Sequence, residues 1–153
     1  MLANKSQEIY NKPCDTGSAI KTLAEQFPTL DFSNIDQIYP DKSSPTARRY
    51  FCTPEAILAR AQLCLEKLYS RPEKVIIVVA HSSFMRLAVS GTAFANADYR
   101  IFDFGSRESN RSAYTLVEWE STKANGGGMG RSPKKQFDIV PENLPRDPLV
   151  LTN

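Results

Sequence analysis

The chain has 153 residues, 41% of them hydrophobic and 24% charged, a length and balance that suit one folded domain and exclude wholesale disorder. Nineteen basic against seventeen acidic residues leave a net charge of +2, which gives no reason to expect nucleic acid as a partner, and the longest apolar run, Val75 to Ala80, is far too short to span a membrane. Three cysteines (Cys14, Cys52, Cys64) in no metal-ligand spacing, and one histidine, exclude a disulfide framework and a two-histidine zinc site. The reading is a cytoplasmic protein with reduced thiols, no metal or other cofactor and no membrane attachment; no apolar stretch at the N-terminus suggests a signal peptide.

Taken in chain order, residues 8–17 are rich in turn formers. Ala19, Ile20, Leu23, Ala24 and Phe27 then recur at helical spacing, so Ser18 to Phe27 is expected as a short helix stopped by Pro28. Residues 28–52 hold three prolines and no sustained period, and read as a long ordered loop with at most one turn of helix. The clearest helix begins at Thr53, a good N-cap, followed by Pro54 at the first helical position and Glu55 near the positive end of the dipole. Its apolar stripe is Ile57, Ala61, Cys64, Leu65 and Leu68, with Arg60, Gln62, Glu66 and Lys67 mostly outside, and Ser70-Arg71-Pro72 ends it. Lys74 to Ala80 is continuously apolar and β-branched, the composition of a parallel strand buried on both faces. A helix over Phe84 to Val89, closed by Gly91, follows. Tyr99 to Phe104 and Ala113 to Trp119 read as two later strands, antiparallel or at an edge. Residues 121–135 have the composition of a Gly-rich flexible loop, and 136–153 form a C-terminal extension.

The chemistry concentrates at His81. A histidine at the carboxyl end of a buried strand, just before a helix, stands where ligands bind in open α/β sheets. The helix start offers backbone N–H groups to an anion, and an imidazole there can contact phosphate, take a proton or act as nucleophile. The alternative is a core histidine bonded to a carbonyl. Asp15-Thr16-Gly17-Ser18 also occurs in aspartic proteases, but there it lies in an apolar strand, whereas Asn11-Lys12-Pro13-Cys14 precedes it here. Asp15 is expected to cap a turn instead. Arg48-Arg49 reads as an exposed basic pair, and Cys14 as buried rather than reactive.

Several of these strings, in this order, resemble the later half of fungal phosphoglycerate mutase-like proteins of the histidine phosphatase superfamily. They are Gln7-Glu8, Pro13-Cys14-Asp15-Thr16-Gly17-Ser18, Ala59-Arg60-Ala61, Val78-Val79-Ala80-His81-Ser82-Ser83-Phe84-Met85-Arg86, and Asn96-Ala97-Asp98-Tyr99-Arg100-Ile101-Phe102-Asp103-Phe104. The resemblance implies a three-layer α/β/α fold with a mostly parallel sheet, incomplete here, over residues 1–120. It implies phosphomonoester hydrolysis or phosphoryl transfer through phosphohistidine, without a metal. His81 falls on the second histidine motif of that family and Glu8 on its proton-donating carboxylate, which makes both catalytic candidates. Ser82 and Ser83 replace the family's glycines as phosphate-binding candidates.

The nucleophilic Arg-His-Gly motif is missing, so the expected chain is inactive alone: a shortened product, or a pseudoenzyme that binds phosphate or a protein. The expected partners are a small phosphorylated substrate or phosphate and, through an open sheet edge beside Val75 to Ala80, other copies of the chain.

Overall fold

A computed structural model describes residues 7–106 and 113–146. Its backbone elements are the helices α1 (Ile20–Gln26), α2 (Pro54–Tyr69), α3 (Ser82–Phe84) and α4 (Glu120–Asn125), with the strands β1 (Phe102–Phe104) and β2 (Leu116–Glu118). Short 3-10 turns occupy Pro13–Asp15, Pro45–Tyr50 and Pro141–Asn143.

α2 forms where its start signals stand. The Thr53 hydroxyl oxygen accepts from the Ala56 N–H at 3.3 Å, and Pro54 has no N–H to leave unpaired. Ile57, Ala61, Cys64 and Leu65 are buried, as the stripe requires. Arg60 departs from expectation: it lies inside the stripe and is 1% exposed. α1 is shorter than expected and has no buried residue, with Phe27 half exposed at its end. Its helical spacing is real, but its apolar side is only partly covered, with Ile20 and Leu23 half-buried. Residues 28–52 are a loop with one 3-10 turn that buries Ala47 and Tyr50.

α3 runs directly into a single π turn, Met85–Val89, whose wider ring is closed by the Ser90 N–H on the Met85 carbonyl at 2.8 Å. Gly91 ends it at a φ of +68°, and its carbonyl accepts from the Phe137 N–H at 2.7 Å. The core forms between this turn and α2: Phe84, Leu87, Ala88 and Val89 meet Ile57, Ala61 and Leu65, with Ile9 and Leu144 closing the sides. β1 and β2 pair antiparallel, Phe102 opposite Glu118 and Phe104 opposite Leu116. Beside them Tyr69 stands edge-on to Phe104, with ring centres 5.1 Å apart.

The molecule is thus mixed helix and strand, and two of the expected elements differ. Val75 to Ala80 is not a buried parallel strand. From Val75 to Val79 the exposures run 83, 38, 89, 36 and 88%. That period-two alternation belongs to extended backbone, but no other described strand lies beside it. Apolarity expresses a preference for burial; burial itself needs neighbouring strands and covering helices, and β1 and β2 pair only with each other. The second difference lies at residues 121–135, read as a loop. The stretch opens inside α4, which ends at Gly126 in the left-handed region, and then folds into a hydrogen-bonded turn. No helix of the described residues is long and apolar enough to cross a membrane.

Candidate functional site

His81 is the last extended residue before α3, and its side chain is 57% exposed. Its Nδ1 lies 3.7 Å from Oε2 of Glu8, whose side chain is only 11% exposed. Glu8 Oε1 accepts from the Ile9 N–H at 2.6 Å, which turns the carboxylate toward the histidine while Ile9 is buried in the core. The two candidate catalytic residues, distant in sequence, therefore meet.

Two buried cations hold the Glu8 segment in place. Lys42 Nζ donates to the carbonyls of Glu8, Tyr10 and Asp15 at 3.0, 2.8 and 2.7 Å, using all three ammonium protons. Arg60 Nη1 donates to the Gln7 carbonyl at 3.2 Å, and its guanidinium lies 5.3 Å from the Phe84 ring centre and 5.9 Å from that of Tyr50. Burial, together with the positive charge of Arg60, holds the Lys42 ammonium below its usual range, and burial lowers Arg60 to about 10. Sequence reasoning missed both. Arg60 had a signal, since it sits at helical spacing between Ile57, Ala61 and Cys64. Lys42 had none, because a cage of three carbonyls is a property of loop geometry alone.

The phosphate-binding candidates divide. The Ser82 hydroxyl donates to the Phe94 carbonyl at 3.1 Å, so its proton is committed inside the protein. Ser83 is half-buried. Among the described residues the backbone N–H groups of Ser82 and Ser83 find no acceptor, and they stand at the helix start beside the imidazole. A protonated His81 with these N–H groups can receive an anion, while the Glu8 carboxylate offsets the imidazolium charge and orients the ring. The arrangement stands open at the surface, with the His81 side chain 57% exposed. One surface hollow of about 220 Å³ is lined by Arg49, Ala56, Ala59, Arg60 and Leu63, and another of about 290 Å³ by Asn11, Thr16, Pro40, Asp41, Lys42 and Ser43; neither includes His81.

The remaining candidates fall into structural roles. The Asp15 N–H closes a turn on the Lys12 carbonyl at 2.8 Å, and the Asp15 carbonyl is one of the three that hold Lys42. Arg48 and Arg49 are exposed, and Arg49 pairs with Asp36 at 3.3 Å. Cys14, expected to be buried, is exposed, whereas Cys52 and Cys64 are buried. Among the described residues no three His, Cys, Asp or Glu side chains cluster so as to hold a metal ion. Compared with protein-family models, curated proteins and solved structures, the chain matches none.

Proposed function

We propose that this chain is a histidine phosphatase-like protein that receives a phosphate group at His81 and has no turnover of its own. The observation that carries the reading is the pairing of Glu8 and His81, brought together across the sequence at a helix start with free N–H groups. A phosphohistidine mechanism of that kind uses one histidine as nucleophile and a second beside the phosphate, and this sequence has one histidine in all. The three-layer, mostly parallel sheet of such proteins would need strands on either side of Val75 to Ala80, beyond the two-stranded sheet described above. A second reading, a non-catalytic phosphate- or protein-binding module, is favoured by the openness of the surface around His81, since catalytic sites usually exclude water.

The purified chain is expected to hydrolyse an aryl phosphate no faster than its His81→Ala variant between about pH 5 and pH 7. Anion binding, followed by NMR, is expected to shift His81 and the Ser82 and Ser83 amides most. Sulfate is the better probe, because its own charge stays constant over that range. Glu8→Gln is expected to strengthen sulfate binding by removing a competing carboxylate. Turnover abolished by His81→Ala would overturn the claim of inactivity, and sulfate shifts confined to Arg48 and Arg49 would overturn the placement.

A further inference from the structure

The segment from Lys74 to Ala80 is the feature that the described fold leaves unexplained. Five β-branched side chains stand in extended alternation, and three of them, Val75, Ile77 and Val79, are 83 to 89% exposed. Among the described residues, none of the backbone N–H and C=O groups of residues 74–80 finds a partner in a turn, a ladder or a side chain. An unpaired strand with apolar side chains is a template for another strand.

We infer that this segment is the interface of a two-fold dimer, in which two copies pair antiparallel about Ile77. The sequence carries the register. Reversed about Ile77, Val75 meets Val79, Ile76 meets Val78 and Ile77 meets itself, so every central pair is β-branched against β-branched. At the ends Lys74 meets Ala80, and Glu73 of one copy meets His81 of the other. No like charges oppose. A parallel in-register pair would instead set Glu73 against Glu73 and Lys74 against Lys74, which is unfavourable. A two-fold pair is also closed, using one surface twice and leaving no growing end on that edge. The side chains of Val75, Ile77 and Val79 from both copies then share one face, where each shields its cross-strand neighbour. This inference does not depend on the phosphate reading.

The test uses cysteine pairs in a Cys14→Ser background, which removes the exposed thiol. Directly opposed residues of an antiparallel pair have Cα atoms about 4.5–5.5 Å apart, within disulfide reach. Ile77→Cys is expected to form a disulfide-linked dimer under mild oxidation. Val75→Cys is expected to link to Val79→Cys when the two proteins are mixed, and not to itself, since its own counterpart lies four residues away, about 13 Å along the ladder. Sedimentation of the unmodified chain at micromolar concentration is expected to show a dimer, and Ile77→Lys a monomer with the same far-UV spectrum. Because these positions are exposed and the cysteine changes are small, the linkage pattern stays readable even if Ile77→Lys misfolds. A monomer at every concentration overturns the proposal. So does self-linkage of Val75→Cys as efficient as that of Ile77→Cys, which would indicate parallel or irregular association.

Discussion

Asp98 shows how a single side chain organises a stretch whose composition reads as loop. Its carboxylate accepts from the Ser132 hydroxyl at 2.6 Å and from the N–H groups of Tyr99, Met129 and Arg131 at 2.8, 2.8 and 3.1 Å. These donors, the Ser132 hydroxyl foremost, hold the carboxyl well below its ordinary value of 3.8. The sign of the consequence follows from linkage. The unfolded chain takes up the proton first, so the stabilisation is complete above the ordinary value and is lost progressively as pH falls below it. Asp98→Asn is therefore expected to melt several degrees lower than the parent at neutral pH and to show a smaller further loss on acidification to about pH 3. Thermal melts across that range check it, and an unchanged acid slope would show that the stretch after α4 is held by other contacts. Sequence reasoning reached Asp98 only as part of a string, since three of its four donors lie more than thirty residues away.

At the level of elements, two termini with different chemistry offer a direct comparison. Thr53→Ala removes one hydroxyl acceptor from the start of α2 and is expected to cost about 1 kcal/mol. Gly91→Ala forces a residue with a Cβ into a φ of +68° and places that Cβ 2.6 Å from the Phe137 carbonyl oxygen. It is expected to cost more, about 1–3 kcal/mol, because backbone strain and a close contact add. Urea midpoints of the two variants decide the order; equal midpoints would mean that the segment at Phe137 yields freely. Both termini were legible in the sequence, since Thr53-Pro54-Glu55 and Gly91 act through local backbone chemistry. That Tyr99 to Phe104 and Ala113 to Trp119 hold strands, antiparallel or at an edge, was legible too; their pairing with each other was not, and the ladder is shorter than the apolar runs around it. Three features were not. The exposure of Val75 to Ala80 depends on which strands lie beside it, and hydropathy carries no information on neighbours. Arg60 lies in the stripe because Tyr50 and Phe84 flank its guanidinium, a tertiary arrangement that its charge conceals. The residues Ser121-Thr122-Lys123-Ala124-Asn125 become helix after Trp119, although their composition is equally that of a loop. At the candidate site, His81 was found from its place after an apolar run and before a helix, and Glu8 by resemblance, whereas the turn of the Ser82 hydroxyl toward Phe94 required coordinates.

For the whole molecule, the governing fact is that the N-terminal stretch is fastened to the rest by contacts of long sequence separation. Ile9 inserts into a core built from α2 and the turn after α3, Arg60 reaches back to Gln7, and Lys42 gathers three carbonyls from residues 8–15. These contacts hold the segment that carries Glu8 to within 3.7 Å of His81. That cage has a consequence for the chemical reactivity of the chain. An amine attacks an acylating reagent through a free lone pair. The Lys42 nitrogen has its protons committed to three carbonyls, and the residue is 5% exposed, so it presents neither a lone pair nor an approach. In a pulse of acetylating reagent read by peptide mass, Lys42 is expected to be modified far more slowly than the exposed Lys21 and Lys67. Whatever modification it does acquire counts the moments when the N-terminal stretch lifts away, so one lysine serves as a clock for the opening of the whole candidate site. Labelling of Lys42 at the rate of Lys21 would show that the cage is not closed in solution.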